Sequence, residues 1–228
     1  MNIYTIIPAR EGSKGIPKKN IKLLNGKPLI EYSIKYSLNC KLVERTIVST
    51  DSKEIAEIAL ALGAEIPFIR PKTLAEDLTP DFPVLKHALL ELEKINKEKI
   101  DLLILLRPTS PFRPSGLIEI GVQKILANPN ASSLRSVAIS KEHPYRQWFI
   151  EKNFIKGFEK NINEPYNIPR QLLPKAYFQT GDIEIIKRAT IINGSISGEN
   201  VIPIIIEHNQ ILDIDSEKDW KNAEKSGY

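Results

Sequence analysis

Apolar positions along the first 140 residues alternate between two patterns, short unbroken runs and longer stretches with apolar residues three and four apart. The first run, Ile3–Ile7, is β-rich and closed by Pro8, and reads as a buried strand. Leu29–Leu38 reads as a helix and Val43–Ser49 as the next strand. Asp51 stands where a helix cap belongs, with Glu54 at the third position, ahead of IAEIALALGA, which stops at Gly63. Glu65–Ile69 is expected as a short strand. Asp81 opens a helix carrying Val84, Leu85, Ala88, Leu89, Leu92 and Ile95 at helical spacing. DLLILL (101–106) has no polar alternation and suits a central strand buried on both faces. Pro114–Leu126 reads as a helix and Ala131–Ile139 as a strand.

This order predicts an α/β fold, an open and mostly parallel sheet with helices on both faces, whose ligands bind at the carboxyl ends of the strands. The loops REGSKGIPKKN, STDS, RPKTLAED and RPTSPFR all follow expected strands, which gathers four polar loops on one rim. From about 140 to 175 the alternation stops. The stretch is rich in aromatics, Asn and Pro, and reads as a protruding arm with Tyr145, Trp148 and Phe149 exposed for a partner subunit. Strands near Ala176–Ile186 and Val201–Ile206, a turn at DID (213–215) and a helix capped by Ser216 with Asp219 complete the chain. No repeat interrupts it, so one domain over 1–228 is expected, with the arm as its only excursion.

The 228 residues suffice for a full α/β core. A formal charge of +4 with interspersed lysines and glutamates gives nucleic-acid binding little support. The single cysteine, Cys40, excludes a disulfide framework within the chain and reads as a small core hydrophobe. No apolar run reaches membrane-spanning length and the opening lacks a signal peptide's regions, so a cytoplasmic protein with no membrane contact is expected.

The chemistry concentrates at two places. Arg10, Lys14, Lys18 and Lys19 share a loop broken by Gly12, Gly15 and Pro17, which is either a solvated basic loop or an anion cradle. A P-loop is excluded because Ile16 follows Gly15, and the G-x-G-x-x-G fingerprint is absent. Asp213 and Asp215, two apart on an extended segment, would project to one face, as a hard divalent cation requires. The alternative is that they only shape the turn before the last helix. An anion cradle on the same rim favours the metal.

The stretch IIPAREGSKGIPKKNIKLLNGKPLI closely resembles the opening of the acylneuraminate cytidylyltransferases. The resemblance continues through RPKTLAED (70–77), LLRPTSPFR (105–113), PRQLLPKAYFQTGDI (169–183) and LDIDSEKDW (212–220). It implies a Rossmann-like sheet, a dimer formed through the arm, and Mg²⁺-dependent transfer of CMP from CTP to a nine-carbon 2-keto sugar acid with loss of pyrophosphate. It implies triphosphate contacts from Arg10, Ser13, Lys14 and Lys19, with Asn20 near base and ribose and Arg70 on the cytosine or phosphate side. Asp213 and Asp215 match metal carboxylates. Arg107, Thr109, Ser110 and Arg113 would hold the sugar, joined by Gln179 and by Arg170 and Gln171 across the dimer. Arg10, Lys14, Lys19 and Asp213 would carry catalysis.

The chain departs from the family in its sugar half. Arg107 replaces a usual Gln before PTSP, and QTGDIE, with Gln179 and Asp182, replaces a pattern often reading NG, a small residue, then IY. Arg offers only donors and a fixed charge where Gln offers a donor and an acceptor. An acceptor sugar other than N-acetylneuraminate is therefore expected. A Kdo-type cytidylyltransferase, an enzyme using another nucleobase, and a non-catalytic nucleotide-binding regulator are the alternatives.

Overall fold

The computed structural model describes residues 1–226. Its central sheet contains β1 (Ile3–Pro8), β4 (Arg45–Ser49), β5 (Leu102–Leu105), β6 (Ser133–Ile139), β9 (Tyr177–Lys187) and β10 (Val201–Ile205), in the order β10-β6-β9-β5-β1-β4. Neighbouring strands run parallel except β9, which is antiparallel to both β5 and β6. Two short hairpins lie outside it, β2 (Leu23–Leu24) with β3 (Lys27–Pro28), and β7 (Trp148–Glu151) with β8 (Phe154–Gly157).

Strands buried on both faces need a helical layer on each side, and the two are separate. On one face α1 (Leu29–Leu38), α2 (Lys53–Ala61) and α4 (Leu117–Leu126) contribute Ile30, Ile34, Ile55, Ala59, Ile118 and Ile125 to the core. On the other, α3 (Asp81–Asn96) packs Leu85, Leu89 and Leu92 against Tyr4, Leu103 and Ile186, beside Ile191 of α5 (Arg188–Ile192). A third cluster joins Ile16, Leu24, Leu29 and Ile214 to Trp220 and Ala223 of α6 (Glu217–Lys225). Lys22 caps it, with Nζ 4.4 Å from the Trp220 ring centre. The Ser216–Asp219 capping box that starts α6 is present as expected. Cys40 is buried, and burial pushes its thiol pKa up, as suits a core residue.

Three expectations are corrected. Asp51 does not cap α2: Ser52 holds that position, and the Asp51 carboxylate accepts instead from Glu11 N–H at 3.1 Å. The strand at Glu65–Ile69 reduces to one bridge between Ile47 and Glu65, because Pro67 has no N–H with which to extend a ladder. Helix α4 starts at Leu117, three residues late. Gly116 takes a left-handed conformation before it, and Tyr36 Oη accepts from Leu117 N–H while donating to the Pro114 carbonyl.

The 140–175 stretch does leave the sheet, as β7–β8 and three short 3₁₀ turns at Pro144–Arg146, Pro165–Asn167 and Arg170–Leu172. Trp148 is exposed, but Tyr145 and Phe149 are half-buried, Phe149 meeting Phe158 edge-on at 5.8 Å. Ile150, Phe154 and Leu172 carry the apolar exposure instead, at 79%, 73% and 74%. Beside the arm, Val137, Tyr177, Gln179, Arg135, Val201 and Ile205 line a groove of about 380 Å³ at the β10 edge.

Candidate active site

Pro8 ends β1 at the rim of the sheet, and the basic loop follows it across the strand ends. Three contacts shape this loop. Ala9 N–H donates to the Ser49 carbonyl at 3.0 Å, Asn20 Nδ2 donates to the Arg10 carbonyl at 2.9 Å, and Ile16 is fully buried against Ile214. Ile214 separates Asp213 from Asp215, so burying it leaves its two neighbours at the surface, where both are exposed. Lys19 fixes the same segment from the loop side, with Nζ 2.8 Å from the Ile214 carbonyl and 3.1 Å from Asp215 Oδ1. Ile214 N–H donates to the Thr109 carbonyl at 2.9 Å. Loop, carboxylates and the RPTSPFR turn are thus one connected unit.

A cleft of about 360 Å³ opens over it, lined by Arg10, Ser13, Lys14, Gly15, Lys19, Asn20, Arg70, Arg107, Thr109 and Asp215. Asp77 and Asp81 also line it. Asp77 Oδ1 lies 2.8 Å from Arg10 Nη1 and Oδ2 lies 2.7 Å from Lys14 Nζ. Hydrogen bonding to Lys14, with the Arg10 charge beside it, holds the Asp77 carboxyl below the usual range. One carboxylate thus bridges two cations of the cradle.

Arg70 is buried, and its Nε and Nη2 have no hydrogen-bond partner in the protein; Asp51 Oδ1 is 3.9 Å away. Desolvation lowers the guanidinium pKa, partly offset by Asp51. Buried donors left unpaired are costly, and a polar ligand group in the cleft would relieve them.

Asp213 and Asp215 fit a shared hard cation. Desolvation by the surrounding protein raises the Asp213 pKa even though its surface reaches solvent, and the nearby Asp215 charge raises it further, against the Thr109 hydroxyl. A divalent ion held by the two carboxylates would offset the cost of the partly desolvated Asp213 charge. Among the described residues no three carboxylate, imidazole or thiol side chains gather as a complete cage, so phosphate oxygens or waters would complete the shell.

The sugar-side expectations divide. Arg107 and Thr109 line the cleft. Arg107 does not offer the free charge expected of it: Nη2 donates to Asp81 Oδ2 at 2.5 Å and to Glu184 Oε1 at 2.7 Å, while Nη1 is buried without a partner. Arg113 does not line the cleft. It is buried, with Nε on the Asp182 carbonyl, Nη1 on Ser33 Oγ and Nη2 on the Arg107 carbonyl, so it braces the turn from behind. Desolvation brings its pKa down to about 10. Asp182 lies behind it, buried, its pKa raised by desolvation, and supports the framework too. Ser110 is buried, its hydroxyl unpartnered. Gln179 lines the β10 groove, and Arg170 and Gln171 sit exposed on the arm's last 3₁₀ turn, outside the cleft. His87 packs edge-on against Phe68 at 5.1 Å, a partly buried helix histidine.

Sequence reasoning missed Asp77, Asp81, Glu184 and Arg135. Asp77 ends the RPKTLAED motif, which was visible; nothing marked Asp81 and Glu184 as partners of Arg107, or Arg135 as the second partner of Glu184.

Comparison with known proteins places the chain in a family. The model of the family described as Cytidylyltransferase matches residues 4–148. The "Post-translational flagellin modification protein B" of Campylobacter coli is 35% identical over 225 residues, covering 97% of this chain and 93% of that protein. The "CMP-N,N'-diacetyllegionaminic acid synthase" of Campylobacter jejuni is 35% identical over 224 residues, with 97% and 93% covered. Among solved structures, a CMP:2-keto-3-deoxy-manno-octonic acid synthetase complexed with CTP superposes with a TM-score of 0.73 over 98% of this chain and 97% of that one, at 15% identity, a likeness of fold. A strand-end cleft of this build and near full-length relatives leave one assignment: the chain belongs to the cytidylyltransferase family.

Proposed function

We propose that the whole chain works as one nucleotidyltransferase domain that moves CMP from CTP to the anomeric hydroxyl of a nonulosonic acid. The observation that carries this reading is that Arg10, Lys14, Lys19 and Asp215 line one cleft, with Lys19 paired to Asp215. The sugar oxygen attacks the α-phosphorus, the bond from that phosphorus to the oxygen bridging the β-phosphate breaks, the hydroxyl proton passes to water, and pyrophosphate departs. Arg10, Ser13, Lys14 and Lys19 bind the triphosphate and stabilise the charge growing on the leaving group; one such contact is typically worth about 10²–10³ in rate. To do so, Arg10 and Lys14 exchange Asp77 for phosphate oxygens. Arg70 spends its buried donors on the nucleotide, and Asn20 shapes the loop beside base and ribose. Mg²⁺ on Asp213 and Asp215 would supply Lewis-acid polarisation at the phosphate oxygens and the attacking hydroxyl.

The near full-length relationship to a legionaminic acid synthase supports a nonulosonic acceptor. Arg107, whose unpartnered Nη1 can only donate, disfavours a substrate group that itself donates there. The acceptor is accordingly a nonulosonic acid other than N-acetylneuraminate. The exposed Ile150, Phe154 and Leu172 support a homodimer through the arm, with Arg170 and Gln171 reaching the partner's sugar site. No described helix is long and apolar enough to cross a membrane. A reaction fed by CTP belongs in the cytoplasm.

Pyrophosphate release should be measured with four nucleoside triphosphates against N-acetylneuraminate, legionaminic, pseudaminic and Kdo-type acids. The expected result is activity with CTP and a nonulosonic acid, N-acetylneuraminate not being the best. Equal use of N-acetylneuraminate would reverse the sugar assignment, and inactivity with every pair would return the protein to the binding regulators. Light scattering of the same sample should give a dimer; an active monomer at every concentration would remove the arm's role.

A further inference from the structure

Glu184 lies in the middle of β9, fully buried, with Leu105 opposite it on β5 and Arg135 opposite it on β6. A lone carboxylate is not tolerated there, and this one is matched on each side. Oε1 accepts from Arg107 Nη2 at 2.7 Å and from Gln179 Nε2 at 3.1 Å, while Oε2 is 3.0 Å from Arg135 Nη2. Arg135 Nη1 closes the ring by donating to Gln179 Oε1 at 2.6 Å. Arg107 lines the cleft and Arg135 lines the β10 groove, so Glu184 joins the two cavities through a single side chain.

We propose that Glu184 is a positioning residue for the acceptor sugar, acting through Arg107; this rests on the reaction proposed above. Arg107 Nη2 is shared between Asp81 and Glu184, which fixes the guanidinium plane at two points. That leaves Nη1, buried and unpartnered, as the donor whose position the pair dictates. Without the Glu184 charge, Arg107 is held by Asp81 alone and free to turn about that contact, while Arg135 loses its only ion pair among the described residues. The nucleotide contacts come from other segments, Arg10 to Asn20 and Arg70, and keep their own anchors.

The test compares Glu184→Gln, Arg107→Gln and the double variant in steady-state kinetics with CTP and the nonulosonic acid the wild type uses best. CTP binding is followed separately by calorimetry. Each single change should raise the sugar KM about 10- to 100-fold and leave the KM and affinity for CTP within about twofold. The double variant should be no worse than Arg107→Gln alone, since Glu184 would have nothing left to position. A rise in both KM values together, or a double variant carrying both losses in full, would overturn the proposal. Should Glu184→Gln not fold, Arg107→Lys keeps the charge and can still meet both carboxylates but has no second nitrogen in place of Nη1, and a wild-type sugar KM in that variant would overturn it as well. A wild type that transfers CMP to no nonulosonic acid would instead overturn the reaction itself, whatever the variants do.

Discussion

Replacing Asp213 or Asp215 with asparagine is expected to cut turnover by about 10²–10³ or more while leaving the protein folded. Asparagine keeps the shape and one oxygen but removes the charge that a hard cation needs. The fold should survive because neither side chain is in the core. Asp213 leans on the Thr109 hydroxyl, Asp215 pairs with Lys19, and the anchor between them, Ile214, is unchanged. Lys19 also retains the Ile214 carbonyl at 2.8 Å, so the cradle keeps its position in both variants. Pyrophosphate release across a Mg²⁺ titration, beside thermal melts, separates the possibilities. Turnover close to wild type in both variants at limiting Mg²⁺ would remove the metal from this site.

An effect of similar size should follow from adding one methyl group at Gly15. A Cβ there would collide with the Asp215 backbone carbonyl, which cannot turn aside as a side chain could. The two backbones are held together by the buried Ile16–Ile214 contact, by Lys19, and by Ile214 N–H on the Thr109 carbonyl. The methyl must therefore push the basic loop away from the Asp213–Asp215 turn, two segments that the proposed reaction needs together. A displacement of about 1 Å at a reacting centre can cost roughly 10² in rate, and overpacking costs about 1–3 kcal/mol in stability. Gly15→Ala should fold, melt somewhat lower and lose about 10² in turnover. Gly12→Ala is the control from the same loop, since a Cβ at Gly12 meets nothing within 4 Å. A Gly15→Ala enzyme as active as its Gly12→Ala counterpart would show that the two segments need not touch.

The helical and strand periods foretold the sheet well because each element's burial is written in its own residues. DLLILL is buried over Leu102–Leu106, and the α3 positions Val84, Leu85, Ala88, Leu89 and Leu92 all face the core, while Ile95, expected with them, is exposed. The misreadings fall where a distant partner outbids a local preference. Asp51 is a sound cap by sequence, yet it serves Glu11, forty residues earlier. The site divides the same way. The basic loop and the DID turn could be singled out because each gathers its charges within a few residues, and the fold brings Arg10, Lys14, Lys19 and Asp215 to one cleft. Arg113 could not be read correctly, because beside Arg107 in RPTSPFR it looks equally available, and only the fold reveals that its donors go to Ser33, Asp182 and Arg107. Glu184 gave no signal because its charged partners lie far off in the sequence, Arg107 just beyond β5 and Arg135 on β6.

Asp77 gives the cradle a resident counter-ion tethered to the protein. Triphosphate binding then becomes an exchange of anions instead of an addition to bare cations, and part of the charge brought in by CTP only replaces charge already there. An affinity for CTP that falls less steeply with salt than the count of cations alone would dictate is the signature of such an exchange. The same exchange ranks ligands by how many cations they can hold at once. A triphosphate spanning Arg10, Lys14 and Lys19 can evict a carboxylate that bridges two of them. A CMP-sugar, with one phosphodiester charge, competes poorly with the same carboxylate. Once pyrophosphate has left, Asp77 can reclaim Arg10 and Lys14, and the product loses its hold on the cleft.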